Sequence, residues 1–321
     1  MKRAFIVGIN KYHSAPLRGC VNDADSIATL LERNEDNSVN FSVNKLTDIQ
    51  SRGDLKRGIL ECFDGTNEIA LFYFSGHGYI DSFGGYLVTP DCQKDDVGIS
   101  MCEILEIVNN SMCANKVVIL DCCNSGYMGN VSTKNQTTVI QEGVSILTAC
   151  RAGEPAMEQA GHGIFTSLLL EALNGGAADL VGNITTGGVY AFIDKALGVW
   201  EQRPIFKTNI SKFSPIRKVN PQVSLDIIHK INIYFNTPDH IFPLDPSFED
   251  TNAPIVPHEV IEPHANPENT KIFKELQKMV SIGLVKPYGD DHMYFAAMKS
   301  KSCKLTPLGQ HYWDLVNKKI I

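Results

Sequence analysis

Two stretches of the sequence join buried-strand patterns to residues capable of nucleophilic chemistry. Residues 117–120, Val-Val-Ile-Leu, lead through Asp121 to two adjacent cysteines and a turn-forming Asn-Ser-Gly sequence. Residues 69–74, Ile-Ala-Leu-Phe-Tyr-Phe, lead to His77, which stands between two glycines. Continuous apolar runs of this length are typical of strands buried on both faces. Because open α/β sheets place their chemistry at the carboxyl ends of parallel strands, we expect a thiol and an imidazole to meet there.

A thiol and an imidazole are the minimum set for a cysteine nucleophile. A free thiol has a pKa of about 8.5, so a neighbouring imidazole is needed to stabilise the thiolate and later to protonate the leaving amine. Cys123 is the better nucleophile because it lies on the turn, whereas Cys122 is expected to be a buried core thiol. The backbone N–H groups of Gly78 and Cys123 are candidates for an oxyanion hole, where each donor can contribute about 3 kcal/mol.

These residues allow two other interpretations. A histidine between glycines, such as His77, can be a simple turn residue. Adjacent cysteines can bind a metal ion, but no second Cys or His pair lies at zinc-ligand spacing in this sequence. We therefore predict no metal site at the two cysteines.

The order of predicted elements indicates the fold class. Strands alternate with helices for about 200 residues, and one of the helices is expected from about residue 23 to 33. This order predicts an α/β domain over residues 1–218, in which helices cover both faces of a mainly parallel sheet. The segment 204–216 is expected at the sheet edge, since Pro204 and Pro215 exclude a central strand.

The composition changes after residue 218. We expect a helical segment and a proline-rich linker over 219–267, because residues 236–267 hold seven of the fifteen prolines. Helices are predicted over 270–282 and 305–316, with a β-wing over 293–298. This order predicts a winged-helix-like domain over residues 268–321.

Composition and charge narrow the class of protein. The net charge of −7 and a pI near 5.7 argue against a general nucleic-acid binder. The nine cysteines are an odd number without a disulfide pattern. The sequence contains no signal-peptide hydrophobic region and no apolar run of membrane-spanning length. We expect a cytoplasmic protein with reduced thiols and no membrane contact.

These motifs resemble those of the caspase-like (clan CD) cysteine peptidases, and most closely the metacaspase and bacterial orthocaspase branch. The resemblance covers roughly residues 1–215. It rests on motifs in the family's order: Phe5-Ile-Val-Gly-Ile-Asn10, Cys20-Val-Asn-Asp-Ala-Asp25, Ser75-Gly-His-Gly78, Asp121-Cys-Cys-Asn-Ser-Gly126, Thr148-Ala-Cys-Arg-Ala-Gly-Glu154 and His162-Gly-Ile-Phe-Thr166. It implies a caspase-like three-layer α/β/α sandwich and a protease that uses His77 and Cys123.

The resemblance also implies a substrate preference. In metacaspases two aspartates line the S1 pocket, and the matching positions here are Asp23 and Asp121. Paired carboxylates in a cleft favour a cationic side chain, so cleavage is expected after Arg or Lys of a protein substrate. Cys20 would either pack in the core or form part of the pocket wall. Alternatively, Asp23 can simply cap the helix that follows it.

The sequence departs from the family pattern in two places. Asn124 follows the nucleophile where the family often has His. Asp91, Asp95 and Asp96 lie near the family's calcium-binding segment, but the aligned stretch 99–101 reads Ile-Ser-Met. Calcium needs six or more oxygen ligands, so we do not predict calcium dependence, and we assign no metal ligand and no cofactor.

A polar segment precedes the next predicted strand. Residues 129–143 are expected to form an exposed loop, in which Lys134 is the only basic residue. Caspase-like zymogens are often cut between their two subunits. Self-cleavage after Lys134 is therefore a hypothesis for maturation.

The carboxyl-terminal unit suggests regulation. Residues 263–321 hold nine lysines and five acidic residues, but no arginine, which is the commonest base-reading residue. We expect this unit to bind a protein activator or a substrate rather than nucleic acid. By analogy, the combination is similar to effectors of prokaryotic antiviral defence and programmed cell death. The alternatives are a catalytically silent caspase-like signalling or adaptor protein, and a DNA-binding regulator.

Overall fold

The chain forms two compact units, Met1–Asn220 and Pro221–Ile321. The structure, a computed structural model, describes the following residues: 1–93, 96–123, 125–128, 139–150, 158–159, 162–197, 203–211, 214–251, 256–258 and 265–321. Within these ranges no helix has both the length and the apolar character needed to cross a bilayer.

The first unit alternates strands and helices. Its strands are β1 (Lys2–Gly8), β2 (Ser42–Thr47), β3 (Ile69–Ser75), β4 (Gly78–Ile80), β5 (Gly85–Gln93), β6 (Asp96–Ser100), β7 (Asn115–Asp121), β8 (Val144–Thr148), β9 (Glu158–Gln159), β10 (His162–Gly163), β11 (Asn183–Ile184), β12 (Ile205–Asn209) and β13 (Arg217–Lys218). Its helices are α1 (Cys20–Glu32), α2 (Arg52–Phe63), α3 (Met101–Asn110), α4 (Ile164–Glu171) and α5 (Thr186–Leu197).

A six-stranded sheet organises this unit, in the order β12-β8-β7-β3-β1-β2. The five strands from β8 to β2 are parallel, and β12 is antiparallel at one edge. The predicted α/β fold with a mainly parallel sheet is confirmed. β3 and β7 are central, and every residue of β3 is buried, which accounts for its uninterrupted apolar sequence.

The two faces of the sheet carry separate cores. Alternate residues such as Phe5 and Phe72 pack with α2 and α3 on one face. Their neighbours, such as Ile6 and Tyr73, pack with α1, α4 and α5 on the other face. Because successive side chains of a strand point to opposite faces, one apolar run supplies both cores. The unit is therefore a three-layer α/β/α sandwich.

Helix α1 begins earlier than predicted, at Cys20 rather than near residue 23. The Asn10 Oδ1 atom accepts hydrogen bonds from the backbone N–H groups of Cys20 (3.0 Å) and Val21 (3.4 Å). Since this cap comes from a residue ten positions upstream, the local pattern did not reveal it. Cys20 and Asp23 are consequently one helical turn apart, and both are buried.

A smaller antiparallel sheet, β4-β5-β6, follows β3 directly. Ser100, the last residue of β6, caps α3, and its Oγ atom accepts the Cys102 N–H at 3.2 Å. The importance of this sheet is that its first strand begins immediately after His77.

The second unit contains α6 (Leu225–Ile228), α7 (Ile231–Tyr234), β14 (Ile241–Pro243), α8 (Pro267–Ser281), β15 (Val285–Tyr288), α9 (Met293–Met298), β16 (Ser302–Leu305) and α10 (Pro307–Asn317). Its sheet has the order β14-β16-β15. The expectation of an extended linker from residue 236 is wrong for β14. Phe242 within this strand packs against the rings of Tyr234, Phe235 and Phe248, so aromatic contacts hold the proline-rich segment in the unit.

The predicted β-wing over Met293–Met298 is also wrong, because these residues form helix α9. Met293, Ala296 and Ala297 are buried, and their spacing is that of one helical face. The two alanines further favour a helix. The winged-helix assignment and its boundary at residue 268 stay predictions.

Candidate active site

The central strands β3 and β7 bring the predicted base His77 and the predicted nucleophile Cys123 to one edge of the sheet. Ser75 pairs with Asp121 in the parallel ladder, and the Gly76 N–H donates to the Asp121 carbonyl at 3.3 Å. His77 and Cys123 each lie two residues beyond these partners. Register therefore places both at the same sheet edge, as the sequence predicted.

Gly78 packs directly on the turn that carries Cys123. A Cβ atom at position 78 would lie 2.0 Å from the Cys123 carbonyl oxygen and 3.1 Å from the Cys122 Sγ atom, so only glycine fits. The Val88 N–H donates to the His77 carbonyl at 2.9 Å, which makes these two residues the hydrogen-bonded pair of the β4–β5 ladder. Gly78 and Leu87 then form the next pair, which is not hydrogen-bonded. In such a pair the backbone groups point outward, so the Gly78 N–H points away from β5. The β4–β5 ladder therefore does not use this N–H.

Two groups hold the His77 ring. Its Nε2 atom lies 2.6 Å from the Ala15 carbonyl oxygen, and the ring centroids of His77 and Tyr12 are 4.5 Å apart. A carbonyl can only accept, so Nε2 carries the hydrogen and Nδ1 is the basic nitrogen of the neutral ring. Neither Ala15 nor Tyr12 was predicted as a site residue, although both follow the carboxyl end of β1 at the same sheet edge.

The adjacent thiols lie in different environments. Cys122 is 1% exposed, and burial raises the pKa of its thiol well above the ordinary value, so this thiol stays protonated. Cys123 is partly exposed. The buried Cys150 Sγ donates to the Cys122 carbonyl at 3.3 Å and lies 3.6 Å from the Ser125 hydroxyl, which supports the turn from behind.

Asp23 is deeply buried, with 1% of its surface exposed, and accepts three hydrogen bonds. Its donors are Ser75 Oγ (3.0 Å), His162 Nδ1 (2.7 Å) and the Gly163 N–H (3.4 Å). Burial raises the pKa of the Asp23 carboxyl, and these hydrogen bonds only partly oppose that effect. The alternative role as a helix cap is wrong, since Asn10 supplies the cap and Asp23 lies inside α1.

Asp121 lies on the other side of Gly163. It is 6% exposed and accepts a 2.6 Å hydrogen bond from Thr166 Oγ1, which is itself 2.6 Å from the Tyr73 hydroxyl. A Cβ atom at Gly163 would lie 2.4 Å from Asp121 Oδ2. The two carboxylates therefore converge on the amino-terminal end of α4.

Several partners of these carboxylates were not predicted as site residues. Ser75, His162 and Thr166 stand in the motifs quoted above, but only as motif positions. Cys20, predicted as a pocket wall, is buried in the first turn of α1. Lys134 and Asn124 lie outside the described residues.

The acidic residues near β5 and β6 have protein partners. Asp91 accepts the Arg52 backbone N–H at 3.0 Å, and the Arg52 guanidinium pairs with Asp96 (3.1 Å) and Glu103 (3.0 Å). Asp95 lies outside the described residues. Across the described part of the chain, no three His, Cys, Asp or Glu side chains are arranged to hold a metal ion. The expectation about calcium stays a prediction.

Comparisons with known proteins agree with this architecture. The protein GSU0716 from Geobacter sulfurreducens superposes with a TM-score of 0.52 at 18% identity, covering 68% of this chain and all of that one. Caspase-1 from Spodoptera frugiperda superposes with a TM-score of 0.50 at 13% identity, covering 68% and 91% of the two chains. At these identities the likeness concerns the fold alone. The sequence matches none of the curated proteins with which it was compared.

The sequence also fits a family model directly. The model described as the caspase domain matches residues 1–290, which includes all of the first unit and part of the second. This match covers most of the chain, and the sheet and its layers agree with it. The chain therefore belongs to the caspase-domain family of cysteine peptidases.

Proposed function

We propose that the protein is a cysteine endopeptidase of the metacaspase type that cleaves proteins after Arg or Lys. One observation carries the proposal: the Gly78 backbone packs on the Cys123 carbonyl at the edge where His77 lies. This contact joins the candidate nucleophile, base and oxyanion donor in one place. The partial exposure of Cys123 gives a substrate access to the thiol.

In the proposed reaction, His77 Nδ1 takes the Cys123 thiol proton, and the sulfur attacks the carbonyl carbon of the scissile bond. The oxyanion accepts hydrogen bonds from the Gly78 and Cys123 N–H groups. The C–N bond then breaks, and His77 gives its proton to the leaving amine. The resulting thioester is hydrolysed by water that His77 deprotonates, which restores the thiol.

The basic P1 side chain would bind beside Asp23 and Asp121, with Cys20 in the pocket wall. Support comes from the convergence of both carboxylates on Gly163. Two carboxylates in a site with little access to water favour a guanidinium or an ammonium group and repel an acidic side chain. We assign no role to calcium in this pocket.

Regulation is proposed at two further places. The second unit would bind a protein activator or a substrate, consistent with a regulated effector in prokaryotic antiviral defence or programmed cell death. Cleavage after Lys134 would mature the enzyme. The intact mass of the purified, fully active protein tests this step. An uncut chain with full activity would contradict maturation by cleavage after Lys134.

The primary test is hydrolysis of fluorogenic peptides with Arg, Lys or Asp at P1, with calcium and with a chelator. We expect turnover of the Arg and Lys peptides, lost in Cys123→Ala and His77→Ala. Cys92→Ala is the matched control, because it removes an exposed thiol of β5. Turnover that survives in Cys123→Ala contradicts the nucleophile assignment. If the folded protein hydrolyses none of the peptides under any condition, the alternative of a catalytically silent adaptor protein is favoured.

A further inference from the structure

Tyr12 is a buried side chain that the proposed reaction leaves without a role. It follows β1 in a loop at the carboxyl edge of the sheet, and only 8% of its surface is exposed. Its ring lies against the His77 imidazole, with the ring planes at 59°. Its hydroxyl also approaches Gly76, where an added Cβ atom would lie 2.6 Å from the Tyr12 oxygen.

The Tyr12 hydroxyl is inserted into the β4–β5 ladder at His77. The two residues of a hydrogen-bonded antiparallel pair normally exchange both N–H···O bonds. Here Val88 donates its N–H to the His77 carbonyl at 2.9 Å, as expected. The return bond is relayed instead: the His77 N–H donates to the Tyr12 hydroxyl at 3.0 Å, and this hydroxyl donates to the Val88 carbonyl at 3.3 Å.

This relay fixes the backbone of His77 at a set distance from β5. Without the hydroxyl, the His77 N–H would have to close directly on Val88 or lose its partner. Either change moves the point from which the imidazole extends, while the Ala15 carbonyl still holds the far side of the ring at Nε2. A small displacement of a catalytic base has a large effect on rate.

The loop that carries Tyr12 is itself anchored. Asp48, at the end of β2, accepts the backbone N–H groups of Asn10 (2.8 Å) and Lys11 (3.0 Å). Burial also raises the pKa of the Tyr12 hydroxyl, so it remains a donor across the working pH range. The relay is therefore built from fixed parts.

We propose that Tyr12 is a positioning residue for His77. The Tyr12 hydroxyl sets the position of the His77 imidazole relative to Cys123. This inference rests on the proposed cysteine peptidase function. It concerns the rate of proton transfer rather than substrate binding. It therefore predicts a change in kcat and in the pH dependence of thiol reactivity, neither of which a purely structural residue would alter.

The test uses Tyr12→Phe, which keeps the ring and removes the hydroxyl. We expect kcat for an Arg peptide to fall about 10-fold, with KM changed less than about 2-fold. We also expect slower alkylation of Cys123 by iodoacetamide below neutral pH, with a profile between those of wild type and His77→Ala. Cys123→Ala gives the background from the other thiols. The alkylation measurement needs no peptide substrate.

Tyr234→Phe is the matched control, because its hydroxyl bonds to Glu275 in the second unit. Asp48→Asn is a second variant, which loosens the loop without touching the hydroxyl, and should lower kcat in the same direction by less. If Tyr12→Phe matches wild type in both kcat and alkylation while His77→Ala does not, the positioning role is overturned and the peptidase stands. If His77→Ala also alkylates like wild type, the proposed dyad itself fails, and the role of Tyr12 fails with it.

Discussion

The Nδ1 atom of His162 lies 2.7 Å from Oδ1 of Asp23, and this contact joins residues 139 positions apart in the sequence. His162 is partly exposed, whereas Asp23 is almost fully buried. The imidazole therefore shields a candidate S1 carboxylate from solvent before any substrate arrives. If a P1 cation binds Asp23 as proposed, it has to share this carboxylate with the imidazole or displace it.

Burial of Asp23 predicts a pH-dependent stability. Its pKa in the folded chain is raised above the ordinary 3.8, mainly by desolvation. At pH values between the ordinary pKa of 3.8 and the raised pKa, the folded state therefore holds a proton that the unfolded state has lost. The free energy of unfolding falls as pH rises through this range. In Asp23→Asn this fall should be absent. Urea unfolding at a series of pH values from about 3 to 7 measures it.

Asp25→Asn is the control for that prediction, because it removes an exposed carboxylate from the same helix. Its curve should keep the decline seen in the wild type. Parallel curves for wild type and Asp23→Asn would show that Asp23 is not desolvated in the folded chain.

The sheet and the paired strand ends were predictable because both depend on local apolar runs and on register. Two strands that each end two residues before a reactive side chain must place those side chains together. The partners of Asp23 were not predictable in this way. His162 reaches it through the packing of α4 on α1, and the Asn10 cap also depends on a contact between separate segments. Local patterns carry no information about such contacts.

The same limit explains the error in the second unit. Met293–Met298 contains residues that suit a strand as well as a helix, and six residues are too few for periodicity to decide. The burial of Met293, Ala296 and Ala297 on one face decided for the helix. The proline content led to a similar error. Strand β14 includes Pro243 and still pairs with β16 through Ile241 and Phe242.

The carboxylate Asp121 provides a test of specificity. Asp121→Asn should raise KM for Arg and Lys peptides about 10-fold or more, because a charge-assisted hydrogen bond becomes a neutral one. Thr166→Val removes the donor that fixes Asp121 Oδ2 and should raise KM less. Steady-state kinetics with matched Arg and citrulline peptides at P1 separates charge from shape. Equal KM ratios for both peptides in all three proteins would contradict the S1 assignment.

The close approach of Gly78 to Cys123 predicts the effect of a single methyl group. In Gly78→Ala, the new Cβ atom would overlap the Cys123 carbonyl oxygen, so either strand β4 or the turn must move. We expect a loss of peptidase activity of at least about 100-fold, with destabilisation of about 1–3 kcal/mol. Kinetics and thermal unfolding together check this.

Gly53→Ala is the matched control, since this glycine lies near the start of α2 with only Ser51 Oγ at 3.7 Å from the added Cβ atom. It should leave activity unchanged and stabilise the chain by up to about 1 kcal/mol. Full activity in Gly78→Ala would contradict the assignment of the Gly78 N–H to the proposed oxyanion hole.

Glu275 predicts a pH-dependent stability in the second unit. Burial opposes its ionisation, but hydrogen bonds from Lys230 (2.6 Å) and the Tyr234 hydroxyl outweigh this and lower the pKa of its carboxyl below the ordinary 4.5. A lowered pKa contributes stability that is present above 4.5 and is lost as pH falls. Glu275→Gln should therefore cost about 1–3 kcal/mol at neutral pH and remove that loss on acidification.

Trp313 can report on this unit alone, because its Nε1 atom donates to the Phe235 carbonyl at 2.6 Å within the unit. Replacing Trp200 by Phe leaves Trp313 as the only tryptophan, so its fluorescence follows unfolding of the second unit. In the Trp200→Phe protein that keeps Glu275, the urea midpoint should fall on acidification. In the same protein with Glu275→Gln, the urea midpoint should not change with pH. A level midpoint in both proteins would mean that Lys230 and Tyr234 do not stabilise the charge of Glu275.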